Sequence, residues 1–458
     1  MSRFEHEIGQ QSLSKGKTVP AAAQTMIRSA PFAHPPAGDV QGFYERGTAR
    51  FTGIPYARAE RFEAPHPLDR WGDVLVATRP APACPQNPSP AIENMFHARV
   101  EELGFSEDCQ NLSITAPEDA AEGDDLPVMV WIHGGSNICG AGDMHGTNPT
   151  ALVTEQNVVV VNVTYRLGIM GYLNIEGHPA NRGLLDQAEA LRWVRRNIAA
   201  FGGNPENITV FGQSAGADAI QHLLSLPESL FDRAILQSPP AGIVLGRESM
   251  TAKMLKLGAD LNQDTPISDI LALEKKILKS VLGYGVKTGM AFGVQHGAEP
   301  VPPAAMLPIA WQKKSHVALM VGHTQYETGF FTQTLGIADA LQPLGKTGSR
   351  IQEKLIESTT RSVYAAGIEE FTRNQQEAGA PVTRYELSWH GSGELGAVHG
   401  IDVPLLFEEP GIENLPIIDG ATAQEVHRAG VLLRNIWADF ARGLDVSTQR
   451  EEGIISFI

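Results

Sequence analysis

The segment "VFGQSAGADAI" (residues 210–220) puts Ser214 between two glycines, where an apolar β-branched run meets a helix-forming one. The pattern G-x-S-x-G decides nothing alone. With 46 glycines in 458 residues, chance supplies about 0.2 copies in a chain of this composition. Context carries more weight. "ITVF" before the serine reads as a strand and "AGADAIQHLL" after it as a helix, so Ser214 is expected on a turn too tight for side chains at Gly212 or Gly216. Such an elbow lifts the hydroxyl above the sheet edge and aims the N–H groups of the new helix at it. A serine that merely caps a helix after a strand leaves the same local pattern.

The surroundings favour the elbow. "LPVMVWIH" (residues 126–133) and "NVVVVNVTY" (residues 157–165) are unbroken apolar runs of the kind buried on both faces of a parallel sheet. "LLDQAEALRWVRRNIAAFGG" (residues 184–203) places Leu184, Ala188, Leu191, Val194 and Ile198 on one helical stripe and stops at Gly202 and Gly203. "FDRAILQS", "HVALMVG" and "VTRYELSW" read as further strands, and residues 422–442 read as a closing helix ending at Gly443. This alternation predicts an α/β fold with a mostly parallel sheet. After one strand, "WIHGGSNICG" (residues 131–140) has consecutive glycines whose N–H groups can face one point. That makes it either a glycine-rich turn or a cradle for the negative oxygen of a tetrahedral intermediate.

Residues 1–25 are polar and aperiodic and are expected to be a mobile tail, leaving residues 26–458 as one domain. Residues 242–282 and 332–377 carry helical pattern without strong strands, and are expected to be cap or rim excursions over the C-terminal edge of the sheet. A net charge of −16, without Lys/Arg clusters, argues against nucleic acid and anionic membrane as partners. No apolar leader core and no run of 18 apolar residues occurs, so a cytoplasmic protein with reduced thiols is expected, either monomer or homodimer. No H-E-x-x-H, paired C-x-x-C or phosphate loop appears, and neither metal nor cofactor is expected.

The chain resembles the type-B carboxylesterase family of α/β-hydrolases, the family of the cholinesterases and bacterial esterases. The likeness runs from about Asp39 to Gly443 and rests on "FTGIPYA", "ACPQ", "SEDCQNLSI", "NVTYRLGIMGYL" and the long stretch of residues 181–217 that contains the elbow. It implies a serine carboxylic-ester hydrolase acting on small-molecule esters through an acyl-enzyme. Carbamate or amide hydrolysis and lipase activity use the same machinery, and a non-catalytic adhesion module exists among relatives. By resemblance, "GHTQYET" (residues 322–328) supplies Glu327 as the acid and "GAVHGIDVPLLF" (residues 396–407) supplies His399, in the chain order Ser, Glu, His. Asp402 is the competing carboxylate. The oxyanion donors are expected at the backbone of Gly135, Ser136 and Ala215, and the substrate wall at Gly134, Gln213, Phe330 and Phe331.

Several departures from the family bear on substrate. Thr324 and Thr328 stand where the acid's turn usually has Asn and Gly, and Ser136 stands where many relatives have a third glycine. Gln213 replaces a glutamate that cholinesterases carry before the nucleophile, and no tryptophan lies between Cys84 and Cys109. Without that carboxylate and aromatic platform, a choline ester is not the expected substrate unless Phe330, Phe331 or Trp389 supplies a cage. Cys84 and Cys109 occupy positions that pair in secreted relatives, and here are expected close together as thiols. Cys139 is expected to be a small apolar filler.

Overall fold

The apolar runs between turn signals become strands of one ten-stranded sheet. In chain order these are β1 (Phe43–Glu45), β2 (Thr48–Pro55), β3 (Asn111–Pro117), β4 (Leu126–Ile132), β5 (Val159–Val163), β6 (Gly203–Gln213), β7 (Arg233–Gln237), β8 (Ala318–Thr324), β9 (Val382–Leu387) and β10 (Ile455–Phe457). This computed structural model describes residues 30–458, so the tail expected over residues 1–25 lies outside the described residues. Residues Pro31–Ile458 form one compact unit.

The sheet runs β1-β2-β3-β5-β4-β6-β7-β8-β9-β10. The six strands from β5 through β4 to β9 are mutually parallel, and antiparallel strands flank them on both sides. The chain leaves β4 towards β5 on one side, while β6 leads to β7 on the other. The carboxyl ends of β4 and β6 therefore border a topological switch point, where α/β sheets leave an open crevice.

Alternate strand residues explain why the runs are apolar throughout. Val128, Val130 and Ile132 enter the core on one face. Met129 and Trp131 enter the core on the other. Helices α1 (Arg182–Asn197) and α2 (Ala215–Leu223) cover the first face with Leu184, Leu191, Val194 and Ile220. The stripe expected from sequence is completely buried, from Leu184 to Ile198. Between β7 and β8 lie α3 (Glu248–Leu257) and α4 (Ile267–Ser280). Between β8 and β9 come α5 (Gly329–Thr334), α6 (Lys346–Thr360), a π-helical turn (Arg361–Ala365) and α7 (Ala366–Glu377). The short helix α8 (Asp402–Phe407) follows β9, and α9 (Ala423–Ala441) covers the second face with Val426, Leu433 and Trp437.

Helix α9 begins and ends where its sequence dictates. The Thr422 hydroxyl accepts the Glu425 N–H while the Glu425 carboxylate accepts the Thr422 N–H. Gly443 follows its last turn at φ +79°. Among the described residues, no helix is long and apolar enough to cross a membrane.

Candidate active site

Strand β6 ends at Gln213 and α2 starts at Ala215, so Ser214 alone makes the reversal. It does so at φ 58°, ψ −123°, a region that L-residues avoid at a cost of about 1–3 kcal/mol. The flanking glycines make the turn possible. A Cβ on Gly216 would overlap the Ile132 carbonyl, and one on Gly212 would lie 2.7 Å from the same oxygen. The elbow is thereby pressed against the end of β4, and the Ser214 N–H is held by the Gln237 carbonyl at 2.8 Å.

The loop after β4 lies beside the elbow. A Cβ on Gly134 would stand 3.2 Å from Ser214 Cβ. Gly135, Ser136 and Asn137 all adopt positive φ, at 105°, 54° and 60°. Ser136 therefore takes the left-handed turn despite its β-carbon. Ile138 and Cys139 donate back to the Gly135 carbonyl at 3.0 and 3.2 Å, which closes the loop. Among the described residues, none accepts the N–H of Gly135, Ser136 or Ala215. His133 anchors the loop's start: its ring stacks on Tyr165 at 4.4 Å, and the Tyr165 hydroxyl donates to the His133 carbonyl. Burial pushes the His133 imidazole down to about 4, so it stays neutral.

Glu327 and His399 arrive from the turns that follow β8 and β9. Two backbone bonds lock these turns together, Tyr326 N–H to the Ala397 carbonyl at 2.9 Å and His399 N–H to the Glu327 carbonyl at 3.2 Å. Glu327 Oε2 lies 2.5 Å from His399 Nδ1, and its Oε1 accepts the Thr324 N–H at 2.7 Å. Burial alone would raise the Glu327 carboxyl. The charge and hydrogen bond of His399 outweigh it and, with Ser238 and His323, hold the group below the usual range. The two departures in this turn are accommodated. Thr324 meets the acid through its backbone N–H, which any residue but proline supplies there, and Thr328 sits at φ −83°, so glycine is not required. The Thr328 hydroxyl reaches into α6, meeting the Ile356 carbonyl at 3.1 Å and Thr359 at 2.6 Å.

Asp402 points elsewhere. Its Oδ2 accepts Gln237 Nε2 at 2.5 Å, and Gln237 is itself held by Trp437 Nε1 at 3.2 Å. Burial pushes the Asp402 carboxyl up to about 6.

Phe331 lies 5.7 Å and Phe330 6.4 Å from the His399 ring. Trp389 packs into the α9 core and is not among the aromatic rings that contact His399 among the described residues. Two residues went unseen in the sequence. Tyr364, on the π-helical turn, places its ring 5.1 Å from His399, and Phe96 lies 6.4 Å from Phe330. Tyr364 lies on a buried helical stripe with Ile356, Val363, Ile368 and Phe371, and the sequence shows only that stripe, not the histidine it faces. Gln213 was expected as pocket wall, and its Nε2 lies 3.1 Å from His399 Nε2.

Cys84 and Cys109 are buried and not joined by a disulfide. The hydrogen bond that the Cys109 thiol donates to Cys84, together with burial, pushes Cys109 well up. Burial pushes Cys139 up to about 11, which suits a filler beside the Gly135 carbonyl. Among the described residues, one cluster has atoms arranged for a metal, namely Glu155, Glu408 and His427. Arg434 already lies between its carboxylates, 2.7 Å from Glu155 and 2.6 Å from Glu408.

A family model described as the carboxylesterase family matches residues 29–342. A probable N-octanoylanthranilate hydrolase of Rhodococcus erythropolis is 33% identical over 422 residues, covering 88% of this chain and 91% of that protein. Para-nitrobenzyl esterase of Bacillus subtilis is 31% identical over 446 residues, covering 90% of each. The solved structure of a thermophilic para-nitrobenzyl esterase superposes with a TM-score of 0.75 at 29% identity, covering 93% of both chains.

Proposed function

The chain belongs to the carboxylesterase family, a serine ester hydrolase of the α/β-hydrolase fold, and from that premise we propose that Ser214, His399 and Glu327 are its catalytic triad. The observation that carries the assignment is the 2.5 Å contact between Glu327 and His399, at the sheet edge where the strained Ser214 stands. Serine at its ordinary acidity is a weak nucleophile. His399 Nε2 takes the Oγ proton as Oγ attacks the ester carbonyl, and Glu327 stabilises the imidazolium that forms. The carbonyl oxygen, now negative, is met by the free N–H groups of Gly135, Ser136 and Ala215. Collapse of the intermediate returns the proton from Nε2 to the leaving alcohol, and water repeats the sequence on the acyl-enzyme. Helices α3 to α7 form the rim of this pocket.

The substrates are small neutral esters. Gln213 puts an amide, not a carboxylate, beside the nucleophile, and the rings near His399 (Phe330, Phe331 and Tyr364) offer apolar surface. A neutral ester should therefore exceed the choline ester of equal acyl length in kcat/KM. Amide hydrolysis is a second reading, supported by the relative named for cleaving an N-octanoyl group. A panel of alkyl and aryl esters, with a matched anilide and a choline ester, separates these substrates. A fluorophosphonate should label Ser214 stoichiometrically and abolish turnover. Label on another serine, or turnover by Ser214→Ala within about 100-fold of the native protein where about 10⁴ is expected, refutes the triad.

A further inference from the structure

His399 has one lone pair to give, at Nε2, because its Nδ1–H is committed to Glu327. That lone pair is occupied. Gln213 Nε2 donates to it at 3.1 Å, and among the described residues no hydrogen bond joins Ser214 to His399. The tautomer settles which end of the amide faces the ring, since only its N–H group can meet an unprotonated nitrogen. The Gln213 side chain is buried at 7% exposure. Its Oε1 lies 3.0 Å from where a Cβ on Gly134 would stand, and its Nε2 3.7 Å from the equivalent point on Gly400. It thus bridges the oxyanion loop and the histidine turn across the mouth of the elbow.

We propose that Gln213 is a positioning residue: its carboxamide holds the general base in the free enzyme and yields it to Ser214 only when substrate enters. The inference rests on the triad reading above. One nitrogen lone pair accepts one good hydrogen bond, so the amide N–H and the serine O–H compete for it. Free enzyme divides between a held form and a form competent for attack, and only the second binds substrate productively. Occupancy of the held form lowers kcat/KM by the competent fraction and leaves saturated turnover largely untouched. The device also has a sign in pH. Protonation of Nε2 breaks the amide's donor bond, so Gln213 opposes protonation, whereas a carboxylate at the same place would favour it. The other charged or titratable groups around the ring are Glu327 at Nδ1, with His323 beside it, Asp402 on the adjoining α8 and Tyr364 over the ring.

Gln213→Met keeps the length and removes the donor, and Gln213→Glu keeps the shape and adds charge. For a neutral p-nitrophenyl ester, Gln213→Met should raise kcat/KM by roughly 2- to 10-fold, the scale of one ordinary hydrogen bond, with the gain falling on KM. Its inactivation by phenylmethanesulfonyl fluoride should accelerate by a similar factor. The midpoint of the acid limb of kcat/KM should rise in the order native, Gln213→Met, Gln213→Glu. A residue that only fills space would lower kcat/KM in Gln213→Met and leave its acid limb on the native one, and that result overturns the proposal. Each variant is first shown to melt as the native chain does; if Gln213→Met fails this, Gln213→Leu, which also lacks the donor, takes its place under the same criterion. If a fluorophosphonate labels Ser214 in all three proteins and the order fails, only the role of Gln213 falls. If it labels another serine, the triad itself falls.

Discussion

Replacing Glu327 by Gln should cost about 10⁴ in kcat, and the hydrogen bonds around it say why. The side chain is fully buried and has two committed oxygens. Oε1 accepts from the Thr324 N–H at 2.7 Å, and Oε2 accepts from His399 Nδ1–H at 2.5 Å. A glutamine must present its oxygen to the Thr324 N–H, because that backbone group can only donate. Its NH₂ then faces His399 Nδ1, which can meet it only as an acceptor. The imidazole is forced into the Nε2–H tautomer and has no lone pair for the serine proton. Flipping the amide restores the histidine contact but sets two donors against each other at Thr324, in a fully buried site. Both orientations lose, and a triad with the wrong tautomer is slower by about 10⁴, or about 5 kcal/mol of barrier.

Asp402→Asn supplies the control. Its Oδ2 partner, Gln237 Nε2, needs only an oxygen, which asparagine retains. Its other oxygen has no partner to lose. The loss in kcat should stay below about 10-fold. Saturating hydrolysis of a p-nitrophenyl ester by both variants, each matched to the native melting curve, makes the measurement. A reversed ranking, or Glu327→Gln within 10-fold of native, refutes Glu327 as the acid.

Gly216→Ala sets a methyl group against the Ile132 carbonyl and 2.8 Å from the His133 carbonyl, where neither backbone can retreat without moving the oxyanion loop. It should destabilise by roughly 1–3 kcal/mol and cost at least about 100-fold in kcat, measured by denaturant melts and ester turnover. His222 is buried, bonded through Nδ1 to the Asp218 carbonyl and through Nε2 to His296, and burial pushes it down to about 4. A group depressed below its unfolded value near 6.5 contributes stability above that pH and loses it as pH falls towards 4. At pH 5 the loss amounts to about 2 kcal/mol, so His222→Asn should narrow the difference in melting temperature between pH 7 and pH 5; an unchanged difference contradicts the assignment. The buried carboxyls Asp218 and Asp402, both raised to about 6, act in the opposite sense, so the comparison is between variant and native chain and not between pH values alone.

The sequence alone carried the local decisions. Residues that alternate between two buried faces must be apolar at every position, so strands β4 and β5 could be read from their letters. The elbow was legible because two glycines were required by contacts with a neighbouring strand, and the start and end of α9 because Thr422, Glu425 and Gly443 act within one turn of themselves. The positions of Glu327 and His399 came from motif resemblance, since nothing in composition or spacing brings together residues 72 apart in the chain.

What only the tertiary structure decided concerns the partners of those groups. It gives the His399 lone pair to Gln213, 186 residues away, satisfies Glu327 through a backbone N–H of Thr324, diverts Asp402 to Gln237, and brings Tyr364 against His399. Apart from the Thr324–Glu327 bond, which closes a single turn, these contacts join residues far apart in sequence. Each depends on the side-chain direction at the end of a strand or turn, which is fixed only when separate elements pack. A hydrogen bond changes partner over about an ångström, whereas a sequence pattern records only which face of an element a residue occupies.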